Sequence, residues 1–319
     1  MNALLGLLGT GRDFGARFTL INLLPTGALA IYVLALVWSG APAHAPDVAN
    51  IDHHLTNLSA GAATLLVIGL LVVAVILQPL QLALVRLLEG YWGDSGLARA
   101  AAARGTAHHE RERRQLEQAV VVRGRMPTEA ELDRMGDAAA RRRLYPTNWS
   151  LLPTRLGNVL RASEERAGGR YGLNSIVAWP RLLPLLPDTL RATADDQRTQ
   201  LDAAARLCVV LILASVIGVC FLAPHPVWLI APAVTMGLAV VAYKATIAAA
   251  IAYGETLEVA FDLHRFDLLR AVCAPLPADT NAELTTNASL SSFWLQGPPP
   301  QPEGAPPLFT YEHSGNAAS

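Results

Sequence analysis

LCVVLILASVIGVCFLAPHPVWLIAPAVTMGLAVVAY, residues 207–243, decides the fold, because it contains no Asp, Glu, Lys or Arg from end to end. About twenty apolar residues cross roughly 30 Å of hydrocarbon as a helix, so this run is too long for one crossing. Ala223, Pro224, His225 and Pro226 interrupt it at its middle, where two prolines disrupt a continuing helix. The stretch reads as a tight hairpin of two membrane spans.

Upstream, residues 55–85 form a second charge-free run whose centre, ATLLVIGLLVVAVIL, is the most apolar part of the chain. Before it, FTLINLLPTGALAIYVLALVW, from Phe18 to Trp38, is again long enough to span. Four crossings are therefore expected. Composition agrees: 52% of the 319 residues are hydrophobic and 16% charged, against about 25% charged in a soluble domain. An ordinary water-soluble globule is excluded on those grounds. The formal net charge of −1 lacks the basic excess of a nucleic-acid binder.

Charge is segregated along the chain. Lys244 is the only lysine, and nineteen arginines fall between Arg99 and Arg206. The connection from about residue 40 to 59 has neither Lys nor Arg, whereas Arg12 and Arg17 precede the first span. The positive-inside rule then places both termini and the region from about 90 to 205 in the cytoplasm. A competing reading takes APAHA, residues 41–45, as a signal-peptidase site. The apolar run before it is longer than a signal-peptide core, and Pro46 would follow the cut.

These readings divide the chain into an N-terminal transmembrane helix pair, 1–89, and a cytoplasmic helical region, 90–205. A C-terminal transmembrane hairpin with a cytoplasmic helix extension, 206–275, and a disordered proline-rich tail, 276–319, complete it. The expected fold class is all-α, a polytopic membrane protein with four transmembrane helices and a helical region between spans two and three. A kink is expected at Pro79. Within the middle region HHERERRQLEQ reads as an exposed helix with internal ion pairs, and AVVV from Ala119 as a short strand. Thr128 and Glu131 form a capping box for a helix ending before Pro146. Leu156, Val159, Leu160 and Ala167 mark one face of another helix, stopped at Gly168 and Gly169. Leu190, Ala194, Leu201 and Ala205 share a side of the helix leading into span three. Span four continues inward along Tyr253, Leu257, Phe261, Leu268 and Val272, about 70 Å in all.

RYGLNSIVAWPRLLPLLP is apolar but broken by three prolines. Tyr171, Trp179 and Arg181 suit a headgroup zone, making the segment an interfacial platform on the inner membrane face. Burial beneath that face is the equal alternative.

Glu255, Glu258 and Asp262 share a face of the extended fourth helix with Arg265, and are the candidates for a cation-attracting or vestibule-lining stripe; a solvated face with ion pairs is the plainer account. Lys244 is the one charge in the last apolar run, close enough to the inner surface to snorkel. Asn22, Gln78 and Gln81 are polar groups within spans, suited to helix packing or oligomer contact. His53 and His54 with Asp52, and His108 with His109, lack a second ligand set at a recognisable spacing, so no metal site is expected. His264 and Asp267 read as surface neighbours. Cys208, Cys220 and Cys273 read as small apolar residues. No phosphate loop, HExxH or paired CxxC occurs, so no catalytic residue or cofactor is assigned and enzyme is the weakest class.

LPTRLGNVLRASEERAGGRYGLNSIVAWPRLLPLLP and AYKATIAAAIAYGETLEVAFDLHRFDLLRA, about a fifth of the chain, resemble segments of an uncharacterised family of bacterial integral membrane proteins. The resemblance implies a multi-pass bacterial inner-membrane protein and transfers no activity. The order of two spans, a cytoplasmic block and two spans resembles bestrophin-type anion channels in arrangement, without their motifs. The expected function is a non-enzymatic membrane scaffold or sensor with a cytoplasmic interaction region. Its partners would be the lipid bilayer, further copies of the chain and a soluble cytoplasmic protein, and no nucleic acid. The alternative is an oligomeric ion channel or pore.

Overall fold

The computed structural model describes residues 13–77, 81–120, 128–298 and 309–312. All regular structure among the described residues is helical. The chain separates into two compact units. One comprises residues 1–88 and 200–246, the other residues 89–199 and 247–319.

The first unit contains helices α1 (Asp13–Trp38), α2 (Val48–Thr56), α3 (Ala60–Leu77) and α4 (Gln81–Glu89), the last reaching its boundary. It also takes the second part of α9 (Asp188–Leu222) and the first part of α10 (Ile230–Ala271). α9 stops just before Ala223, and a 310 turn over Pro226–Leu229 starts α10, so the Pro-His-Pro break makes the expected hairpin. Two polar side chains stitch its arms together. The Ser215 hydroxyl donates to the Pro232 carbonyl at 2.8 Å, and Cys208 Sγ lies 3.5 Å from the Ala239 carbonyl. Leu36, Ala41 and Leu222 form a small core with Tyr32, Ile217 and Phe221 around it.

Among the described residues of this unit many aliphatic side chains face outward: Val227 is 85% exposed, Leu65 71% and Ile230 69%. Two helical stretches, Asp188–Leu222 and Pro226–Ala271, are long and apolar enough to cross a membrane. Pro25–Trp38 and Ala60–Gly69 are shorter apolar helices. The expected kink at Pro79 lies outside the described residues, as does the part of AVVV beyond Val120; Ala119 itself ends a helix, not a strand.

The second unit contains α5 (Gly96–Ala119), α6 (Glu129–Arg142), α7 (Arg155–Gly169), α8 (Ser175–Leu182) and the N-terminal part of α9. The C-terminal part of α10 and α11 (Thr280–Gln296) complete it. The caps follow the sequence. Glu131 accepts from the Thr128 N–H at 2.8 Å at the start of α6, Thr154 accepts from Gly157 at α7, and Asn174 accepts from Ile176 at α8. Leu156, Val159 and Ala167 are fully buried, as the helical periodicity requires. Ala194, Leu201, Phe261 and Leu268 are likewise buried. α7 and α10 approach where Ser163 lies against Gly254, leaving no room there for a Cβ. Gly172, at φ +77°, turns the chain after α7 with its α-carbon against the Leu284 backbone.

α11 corrects the expectation that residues 276–319 are disordered throughout. Asp279 caps it by accepting from the Asn281 and Ala282 N–H groups at 2.9 and 2.8 Å. Its buried face is Glu283, Asn287, Leu290 and Ser291, and that face is held by polar contacts. Asn287 donates to the Tyr171 carbonyl at 2.8 Å, and Ser291 accepts from the Asn174 N–H at 2.9 Å. A composition argument looks for an apolar stripe and overlooks a helix anchored this way. Residues 299–308 and 313–319 lie outside the described set.

Candidate functional site

The second unit carries two polar clusters. The first centres on Glu258. Gly254 precedes it by four residues and Phe261 follows it by three, so the sequence places a carboxylate on the apolar face of α10. Its side chain is 7% exposed, and a buried charge demands partners. Three guanidinium groups supply them. Arg143, at the end of α6, reaches Oε2 at 2.6 Å; Arg166, on α7, reaches Oε1 at 2.8 Å; and Arg170, capping α7, reaches Oε2 at 3.2 Å. Arg166 also donates to the Arg143 carbonyl. Asp262, one turn along, accepts from the Tyr171 hydroxyl at 2.6 Å and lies 3.8 Å from Arg170.

At Glu258 this geometry counts against a cation-attracting role. Both Glu258 oxygens are occupied by arginine; Asp262 is partly neutralised by Arg170, and Glu255 is exposed. Next to the cluster is a cavity of about 580 Å³, lined by Glu117, Arg142, Arg143, Tyr145, Glu165 and Arg166 among others. Its charged lining groups already have partners. Arg142 donates to Glu117 at 2.9 Å, and Glu165 accepts from the Thr147 and Asn148 N–H groups at 2.7 Å.

The second cluster joins α5 to the connection between α6 and α7. His108, His109 and Glu112 lie on one face of α5, with His109 buried and His108 exposed. The Tyr145 hydroxyl, buried beside them, donates to Glu112 Oε2 at 2.7 Å and lies 3.0 Å from His109 Nδ1. Arg155 donates to Glu112 Oε1 at 2.9 Å. Burial, with the neighbouring His108 and Arg155, lowers the His109 pKa, while Glu112 pulls the other way. For Glu112, burial favours the neutral form, but the Tyr145 hydrogen bond and Arg155 outweigh it and hold the carboxyl below its usual range. Burial first, then Glu112, raises the Tyr145 pKa. These effects keep His109 neutral, Glu112 charged and Tyr145 protonated near neutral pH.

Glu164, on α7, is pushed up to about 7 by burial and by Glu89, against the opposing pull of Arg161 and Arg198. His264 Nδ1 lies 2.8 Å from Asp267, which also accepts from Arg270 at 2.8 Å, so the two are neighbours in a local ion pair.

The platform residues do not form one free face. Tyr171 is bonded to Asp262 and covered by Arg265 at 4.2 Å, and Trp179 lies 6.3 Å from Phe261. Arg181 sits 4.7 Å over the Trp294 ring of α11. All three therefore have partners within the protein, while Arg181 and Ile176 stay exposed on α8. Lys244 is exposed on α10. The side chains of Asn22, Gln78 and Gln81 lie outside the described residues. His53 and His54 gain no third metal donor among the described residues.

Reading the sequence missed Arg143, Arg166 and Arg170 as partners of Glu258, and Glu112 and Tyr145 as partners of His109. The usable signal was the position of Glu258 on an apolar face, which announces a buried ion pair without naming the cations. Compared with known proteins, the chain matches no family model, no curated protein and no solved structure.

Proposed function

We propose that the chain is a multi-pass integral membrane protein acting as a non-enzymatic scaffold or sensor, with the arginine-rich residues 90–205 on the cytoplasmic side. The observation that carries the reading is the contrast between the two units. Between Asp52 and Arg86, and between Arg206 and Lys244, the first unit has no Asp, Glu, Lys or Arg, and it leaves Leu65, Val227 and Ile230 exposed. Such a surface is costly in water and suited to hydrocarbon or to other copies of the chain. The second unit pairs its buried carboxylates, Glu258 and Glu283, with Arg143, Arg166, Arg170 and Arg265, as a folded domain facing water does. Four crossings, by α1, α3 and the α9–α10 hairpin, satisfy the charge rule.

An ion conduit is the competing reading. It draws its residue-level support from the acidic stripe, whose central member, Glu258, is neutralised by arginine. Purified protein reconstituted in planar bilayers should carry no current above that of protein-free membranes. A unitary conductance altered by Asp262→Ala would establish the conduit in place of the scaffold.

A further inference from the structure

The convergence of His108, His109 and Glu112 is independent of the membrane reading and is not explained by it. The ligating atoms of the three residues lie within 4.8 Å of one another. His108 Nε2 is 4.0 Å and His109 Nδ1 3.7 Å from the same oxygen, Glu112 Oε2. Donors about 2.1 Å from a tetrahedral ion are about 3.4 Å apart, so closing on one shortens the two imidazole–carboxylate separations by about 0.3 and 0.6 Å and the imidazole–imidazole separation by at most about 1.4 Å, within reach of side-chain rotation.

Glu112 divides its oxygens. Oε1 accepts from Arg155 at 2.9 Å, whereas Oε2 faces both imidazoles and accepts from Tyr145 at 2.7 Å. That is the arrangement of a monodentate ligand whose second oxygen is fixed by an outer partner. Tyr145 and Arg155 come from sequence 33 and 43 positions away, so the support is tertiary and not an accident of one helix. His108 is exposed and opens the site to solvent, leaving a coordination position for water.

We propose that His108 Nε2, His109 Nδ1 and Glu112 Oε2 bind one divalent transition-metal ion, with Tyr145 and Arg155 as positioning residues for the carboxylate. Two imidazoles and one carboxylate select Zn²⁺ over the all-oxygen preference of Ca²⁺ and Mg²⁺. The charge of Arg155 opposes the cation, and the anchored Glu112 offsets it. Binding exchanges the Tyr145–His109 contact for a metal bond and returns the His109 proton to Nε2 or to solvent.

The test is a Zn²⁺ titration of the full-length protein in detergent, after removal of bound metal with a chelator, in competition with a chromophoric indicator. One Zn²⁺ per chain is expected, with Mg²⁺ not competing. His108→Ala, at an exposed helical position where alanine favours the fold, should weaken binding about 100-fold while the far-ultraviolet circular dichroism stays unchanged. Tyr145→Phe should weaken it about 10- to 100-fold, as loss of an outer partner does. His53→Ala with His54→Ala should leave it unchanged. Absence of stoichiometric binding, or binding that survives His108→Ala, overturns the proposal and leaves the cluster a hydrogen-bonded tie between helices.

Discussion

Arg166 donates from Nε to Oε1 of Glu258 at 2.8 Å, and this bond fastens α7 to α10. With Arg143 and Arg170 on the other oxygen, one buried carboxylate holds three cations that would otherwise repel one another. Removing one side of such a cluster leaves uncompensated charge, which typically costs about 3–5 kcal/mol. Glu258→Ala should therefore lower the thermal midpoint of the detergent-solubilised protein by many degrees, and Arg170→Ala by less, since Arg170 is 43% exposed against 7% for Glu258. Differential scanning calorimetry checks the order. Equal effects of the two substitutions would deny Glu258 its central place.

Glu164 gives the protein a pH dependence of definite sign. Its pKa rises from an ordinary 4.5 to about 7 in the fold, so between those values the folded chain binds more protons than the unfolded one. Stability contributed by the protonated carboxyl is present below about pH 4.5 and is lost as the pH rises towards 7, by up to about 3 kcal/mol. His109, whose pKa is lowered, acts oppositely: its contribution is lost as the pH falls below the ordinary value of 6.5. The comparison that isolates Glu164 is wild type against Glu164→Gln. The variant should gain stability relative to wild type as the pH rises from 5 to 8, measured by thermal unfolding. A constant difference across that range would contradict the account.

The Gly254–Ser163 approach predicts a steric phenotype. A side chain at 254 meets Ser163 on α7, and overpacking of this kind costs about 1–3 kcal/mol. Gly254→Val should lower the melting midpoint, and adding Ser163→Gly should restore part of the loss. No rescue would place the strain elsewhere.

α11 should depend on one amide. Asn287→Leu removes the donor to the partly buried Tyr171 carbonyl and leaves that acceptor without its protein partner, at about 1 kcal/mol. Limited digestion with chymotrypsin should then cut faster after Phe293 and Trp294 in the variant. Identical cleavage rates would detach that bond from the docking of the helix.

Much of the helical order was legible because it rests on two local signals. The charge-free run from Leu207 to Tyr243 and its Pro224–Pro226 break produced the hairpin, and the spacing of Leu156, Val159 and Ala167 produced the buried face of α7. α11 was not legible, since Asn287 and Ser291 bury themselves through hydrogen bonds to Tyr171 and Asn174, more than a hundred positions away. The polar clusters were half legible. Glu258 was picked out, but as part of a vestibule or solvated face; its arginines lie 88 to 115 positions distant, and no periodicity reports on a pairing between separate helices. For the same reason the two adjacent histidines on α5 looked like surface residues until Tyr145 and Arg155 were placed beside Glu112.

The central claim, that charge-free stretches cross the bilayer and leave residues 90–205 inside, is tested most directly by cysteine accessibility in intact cells. In a chain with Cys208, Cys220 and Cys273 replaced by alanine, single cysteines would be introduced as Asn57→Cys and Gly96→Cys and challenged with a membrane-impermeant maleimide. Labelling of Asn57→Cys alone, with Gly96→Cys reacting only after the cells are opened, is the predicted result. Labelling of Gly96→Cys in intact cells, or release of the protein from membranes by alkaline carbonate, would contradict it.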